Sequence, residues 1–117
     1  MGKIRAIVKR ADEQYGHVTW ISNTLENLQR TVGGYVEAIT CCGPRMDSKP
    51  YVVLCDEEGR LKGKPHNCSV YRSPRKPNGF AEDVIDFVGD IAVVGIEGED
   101  FSDCPLDFKD WKRMVLL

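Results

Sequence analysis

Tyr51-Val52-Val53-Leu54-Cys55 decides the fold. A strand sends alternate side chains to opposite faces, so a run that is apolar at every position is apolar on both sides. Such a run belongs in the centre of a sheet, and Cys55, which closes it, reads as a core residue. Asp56-Glu57-Glu58-Gly59 follows as a hairpin turn that returns through Arg60-Leu61-Lys62. On the N-terminal side, residues 35–41 make another strand, which Gly43-Pro44 ends, and residues 45–50 are a polar loop. Farther out, residues 3–11 alternate: Ile4, Ala6 and Val8 point one way, Lys3, Arg5 and Lys9 the other, and Ile7 breaks the pattern. Residues 15–21 are rich in aromatic and β-branched side chains and pair with them as a hairpin.

Two helices are expected. Ser22 or Asn23 caps the first, and Asn23 with Glu26 resembles a capping box. Leu25, Leu28 and Val32 make one apolar face, and Gly33-Gly34 stops the helix after about ten residues. Pro105 suits the first turn of the second helix, with Ser102 or Asp103 near its cap. Phe108, Trp111 and Val115 form its stripe, and Lys112 and Arg113 sit where the dipole favours cations. Residues 84–88 and 91–96 are two further β-type runs around Gly89-Asp90, readable as a tight hairpin. Residues 63–79 carry three prolines and two glycines and read as loop, with a short extended piece at 69–72. The sum is an α+β chain: a single small domain over residues 1–117, with a mostly antiparallel or mixed sheet of about five to seven strands and two short helices packed on one face.

Charge is unevenly spread. Residues 60–79 hold six cations, one histidine and no acid, whereas residues 81–117 hold ten acids against three bases. The net charge of -2 hides this contrast. No apolar run is long enough to cross a bilayer, and the start of the chain turns charged at once, unlike a signal peptide. The five cysteines (Cys41, Cys42, Cys55, Cys68, Cys104) are odd in number and read as reduced thiols. A cytoplasmic location follows as the expectation, in the host cell if the protein is viral.

Several of these stretches resemble an uncharacterised family, domain of unknown function 3846. The resemblance rests on Leu28-Gln29-x-x-Val32-Gly33-Gly34-Tyr35-Val36-Glu37, on Val53-Leu54-Cys55-Asp56-Glu57-Glu58-Gly59-Arg60-Leu61, on Lys64-Pro65-His66-Asn67 and on Gly89-Asp90-Ile91-Ala92-Val93-Val94-Gly95. It spans roughly residues 4–110. Members occur in phages and mobile elements of Gram-positive bacteria, so the resemblance implies a small accessory protein of such an element. It implies no activity. The chain departs from the family in a long basic loop insertion at about residues 62–79, through Asn78.

That stretch is the leading candidate site. Arg60, Lys62, Lys64, Arg72, Arg75 and Lys76 could neutralise phosphates, with His66 as a donor and Tyr71 as a stacking platform. The plainer reading is a solvated loop that balances the acidic C-terminal third. His66-x-Cys68 with the other cysteines does not make a zinc pattern, because no Cys-x-x-Cys pair exists. His17 and His66 are the only histidines, and no cysteine sits in a recognised nucleophile context. Asp56, Glu57 and Glu58, and Asp83, Asp86 and Asp90, read as exposed acids rather than paired catalytic carboxylates. Trp20, Phe108 and Trp111 belong to the core or to an interface.

The expectation is a non-enzymatic binding protein of a phage or mobile element, with no cofactor and no metal. Its ligand would be an anionic small molecule such as a signalling nucleotide, bound to counteract host defence. The alternative is a protein–protein inhibitor or accessory subunit that meets a host defence protein through the acidic C-terminal third. No membrane partner is expected, and edge pairing of residues 3–11 would make a homo-oligomer.

Overall fold

The computed structural model describes residues 2–43, 48–71 and 84–116, and these form nine strands and two helices. The strands are β1 (Lys3–Lys9), β2 (His17–Ser22), β3 (Val36–Cys41), β4 (Tyr51–Asp56), β5 (His66–Tyr71), β6 (Val84–Val88), β7 (Ile91–Glu97), β8 (Asp100–Ser102) and β9 (Val115–Leu116); the helices are α1 (Leu25–Val32) and α2 (Phe108–Met114). The fold is α+β, as the sequence implies. The main sheet has the order β2-β1-β7-β4-β3, and β8 pairs with the end of β7. A second sheet, β6-β5-β9, was not legible in the sequence. Every pairing is antiparallel.

All six residues of β4 are buried between β3 and β7, as an all-apolar run requires. Its side chains divide cleanly. Val52 and Leu54 join Ile4, Ala6, Val8, Ala92 and Val94 under Leu28 and Val32 of α1. Tyr51, Val53 and Cys55 join Ile7, Ile91 and Val93 against the second sheet and α2. The helices therefore lie on opposite faces of the main sheet, not on one. Two apolar faces need two covers, and α1 is too short to supply both.

The structure corrects several local expectations. Residues 57–63 are turns, with no returning strand beside β4. The chain instead rises to β5, which takes in the extended piece expected at 69–72 as far as Tyr71 but begins at His66, in a stretch expected to be loop, and Cys68 and Val70 are fully buried. β6 and β7 are not a hairpin with each other: β6 pairs with β5, and β7 with β1 and β4. Gly89 makes the corner between the sheets with φ 72°, and its amide donates to Pro65 O. Thr24 caps α1 by accepting from the Asn27 amide, whereas Asn23 reaches across to Phe101 O. Leu25 is 66% exposed, so only Leu28 and Val32 anchor the helix. Asp107 caps α2, Pro105 lies before it, and Val115 has already entered β9.

Lys9 is the sharpest correction. Expected to face solvent, it is fully buried. Its ammonium donates to Asn67 Oδ1 at 2.6 Å, with Arg10 O at 3.4 Å and Asn67 O at 3.5 Å. The ladder between β5 and β6 shifts register between His66 and Cys68, leaving Asn67 outside the pairing. A bulge re-aims its side chain, and here it aims Asn67 inward. The amide then donates to Lys9 O at 2.9 Å and Gly89 O at 2.7 Å. This exchange fastens the second sheet to β1. Asn67→Ala should lower stability by about 3 kcal/mol, because it leaves a buried ammonium short of its best acceptor. Lys9→Met should cost less, about 1 kcal/mol, because charge and donor leave together. Urea unfolding of both variants checks the order, and a costlier Lys9→Met would contradict it.

Candidate functional site

Asp56 ends β4 on the same face as Val52 and Leu54, so its carboxylate lies under the C-terminus of α1. The side chain has no exposed surface. Asp56 Oδ2 accepts from Lys64 Nζ at 2.7 Å and from Lys62 Nζ at 2.8 Å. Oδ1 accepts from the Glu58 amide at 2.9 Å, which tightens the turn. The two ammonium groups also reach the helix end. Lys64 donates to Val32 O at 3.0 Å and Gly33 O at 3.1 Å, and Lys62 lies 3.4 Å from Gly33 O. These carbonyls have no partner within the helix and carry the negative end of its dipole. Gly33 caps the helix with φ 78°. Gly34 is required for a different reason: a Cβ there would collide with the Asp56 carboxylate. Hydrogen bonds from Lys62 and then Lys64 hold the Asp56 carboxyl well below its ordinary value of 3.8, and the same contact raises the Lys62 ammonium.

The eight residues expected to bind an anion are thus divided. Lys62 and Lys64 are engaged by Asp56. Arg60 extends elsewhere, donating to Asp86 O at 3.0 Å. His66 and Tyr71 begin and end β5, about 17 Å apart along an extended chain, so they do not converge on one base. Tyr71 O accepts from the buried Tyr51 hydroxyl at 2.9 Å. Arg72, Arg75 and Lys76 lie outside the described residues, as do residues 73–74 and 77–79 of the basic stretch.

Beside Arg60 the layers part. A cleft of about 220 Å³ opens where β3 and β4 face β6. Ile39, Cys55, Ile85, Phe87, Val88 and Leu61 supply its apolar walls, and Arg60, Glu37, Asp56, Glu57 and Asp86 complete the lining. Two of these acids are already engaged: Asp56 by Lys62 and Lys64, and the Asp86 carboxylate by the Ser69 hydroxyl. Glu37 and Phe87 had no functional reading in the sequence. The alternation of β3 and β6 was the only signal available, and β6 could be placed opposite β3 only in three dimensions. Burial, with Glu37 next, pushes the Cys55 thiol up to about 11, and burial likewise lifts Cys68 to about 11. His17 Nδ1 pairs with Glu13 Oε2 at 3.0 Å, on the loop side of β2. Among the described residues no three His, Cys, Asp or Glu side chains gather as a metal centre would need, and no helix is long and apolar enough to cross a membrane.

The acids of the C-terminal third are also divided. Asp90 accepts from the Ala11 amide, Asp103 from the Arg5 amide, and Asp107 caps α2. Each holds the fold together. Glu97, Glu99 and Asp100 are exposed around the β7–β8 turn.

The Gly33-Gly34 cap over Asp56 joins two segments of the family signature in one contact. A family model, described as domain of unknown function (DUF3846), matches residues 4–115. The chain belongs to this family. Comparison with curated proteins and with solved structures yields no match.

Two measurements follow from this DUF3846 geometry. Asp56→Asn should lower stability by about 2 kcal/mol, less than a fully buried pair would lose, because 42% of the Lys62 side chain is exposed. The folded pKa of Asp56 lies below the unfolded one, so its contribution is complete above about pH 4 and fades as pH falls further. Melting curves of both proteins should converge on acidification; a gap that stays constant from neutral pH into acid excludes this origin. A thiol reagent at neutral pH should modify exposed Cys42 rapidly and buried Cys41, Cys55, Cys68 and Cys104 only on unfolding. Fast labelling of Cys55 in the folded chain would contradict the raised thiol.

Proposed function

We propose that this chain is a non-enzymatic binding protein, that its partner is another protein, and that the cleft between the layers receives a basic anchor side chain of that partner. The size and charge of the cleft carry this reading. At about 220 Å³ it falls below the roughly 300–1,000 Å³ of small-molecule and cofactor sites, yet it suits one large side chain. Glu37 and Glu57, the two lining acids not held by Lys62, Lys64 or Ser69, favour a cation, and the apolar walls favour a long aliphatic stem. An arginine meets both demands, because its planar fork can bridge two carboxylates. Catalysis lacks support here: Cys55, the thiol in the wall, stays protonated at neutral pH. The phage and mobile-element setting that the sequence resemblance implies makes a host defence enzyme the natural partner.

A nucleotide-type anion is the second reading. It is favoured by six cations without an acid in residues 60–79. It is weakened by the commitment of Lys62 and Lys64 to Asp56, which an anion would have to displace. Amide chemical shifts separate the two. Titration of the labelled chain with short arginine-containing peptides should move Ile39, Leu61 and Phe87, and the double variant Glu37→Lys, Glu57→Lys should lose the response. A panel of cyclic and linear nucleotides should leave the spectrum unchanged at micromolar concentration. Nucleotide-induced shifts at Arg60, His66 and Tyr71, with silence from every peptide, would replace the first reading by the second.

A further inference from the structure

We infer that β2 is a self-association edge, and that two copies of this chain pair antiparallel through it. The observations are independent of the cleft. β2 and β3 end the main path of the large sheet, the three-residue β8 with its Asp100 pairs only with β7, and β6 and β9 are the edges of the second sheet. Natural edges are blunted by charges, prolines, bulges or extreme shortness. β3 carries Glu37, β6 carries Asp86, and β9 has two residues. β2 reads His17-Val18-Thr19-Trp20-Ile21-Ser22 and has none of these devices. It contains no Lys, Arg, Asp, Glu, Pro or Gly, and its ladder with β1 runs through six consecutive pairs without a shift. Residues 3–11, expected to be the pairing edge, are excluded, because β1 is enclosed by β2 and β7.

Side chains on β2 point to the same conclusion. Trp20 is 56% exposed and Val18 41% exposed. They stand opposite Arg5 and Ile7, so both project from the sheet face that α2 covers farther in. A two-fold axis perpendicular to the sheet keeps that face common to both copies, and this demands pairing between residues of like parity. Centred on Thr19, the register sets Val18 of one copy against Trp20 of the other at both ends of a Thr19–Thr19 pair. Aromatic against β-branched and threonine against threonine are both favourable cross-strand neighbours. Without charged side chains on the strand, two copies meet no like-charge repulsion. The contact is small beside the roughly 1,200–2,000 Å² of a stable interface, so the dimer forms in a concentration-dependent manner at micromolar levels.

Sedimentation velocity of the full chain tests this directly. The expected result is conversion of monomer to dimer as concentration rises, loss of the dimer in Trp20→Lys, and retention in Thr40→Lys on the opposite edge. Hydrogen exchange on the unaltered chain needs no substitution, and the amides of residues 17–22 should gain protection with concentration. In a Cys42→Ser background, Thr19→Cys should cross-link into a covalent dimer on mild oxidation. A chain that stays monomeric throughout overturns the inference. So does a dimer that survives Trp20→Lys, one broken by Thr40→Lys, or exchange in residues 17–22 that ignores concentration.

Discussion

One buried carboxylate holds the upper layer of this protein to its central sheet. Asp56 takes two ammonium groups and one amide, and the same ammonium groups satisfy the last carbonyls of α1. An eight-residue helix is too short to persist on its own in water. Two apolar side chains, Leu28 and Val32, press it to the sheet, and the lysines fix its far end. Removing one member would affect several others: the helix end, the 57–63 turn and the end of β4. Both ammonium groups are committed to the carboxylate and to the negative end of the helix dipole.

A second buried charge does the same for the opposite layer. Lys9 has only carbonyl acceptors, three of them, for its three donor hydrogens. Such a group is costly to bury and costly to disturb, so it fixes the register of β5 over β1 more firmly than apolar packing alone. Trp111 adds a third fastening: its indole donates to Tyr15 O at 2.8 Å and pins α2 beside the β1–β2 loop. With both layers fixed, the gap beside Arg60 is left as an indentation between sheet edges. The cleft lies where β3 and β4 face β6, and its acids come from segments distant in sequence: Glu37 in β3, Asp56 and Glu57 at the end of β4 and in the turn after it, and Asp86 in β6.

Much of the architecture was legible because local rules and global demands agreed. The all-apolar run at 51–55, the hairpin of residues 3–11 with 15–21 and the glycine stop at 33–34 each follow from one elementary rule. The second sheet was hidden for an equally physical reason. His66-Asn67-Cys68-Ser69-Val70-Tyr71 lacks strict alternation, because a bulge at Asn67 places two successive residues inside. Lys9 was misplaced because a lysine reads as solvated unless its partner is known, and the partner lies 58 residues away. Among the described residues of the candidate site, Arg60 lines the cleft between the layers, whereas Lys62 and Lys64 are held by Asp56.

By itself, then, the sequence determined the α+β class, the central strand, the end of the first helix and the family, since these depend on patterns a few residues long. Tertiary structure alone decided which charges are committed and which remain available. Asp56, Lys62 and Lys64 look in the sequence like a surface turn of mixed sign, and only the approach of Gly33 and Gly34 from another element turns them into a buried cluster. Electrostatic roles depend on distance and desolvation, and neither is written into a linear order of residues.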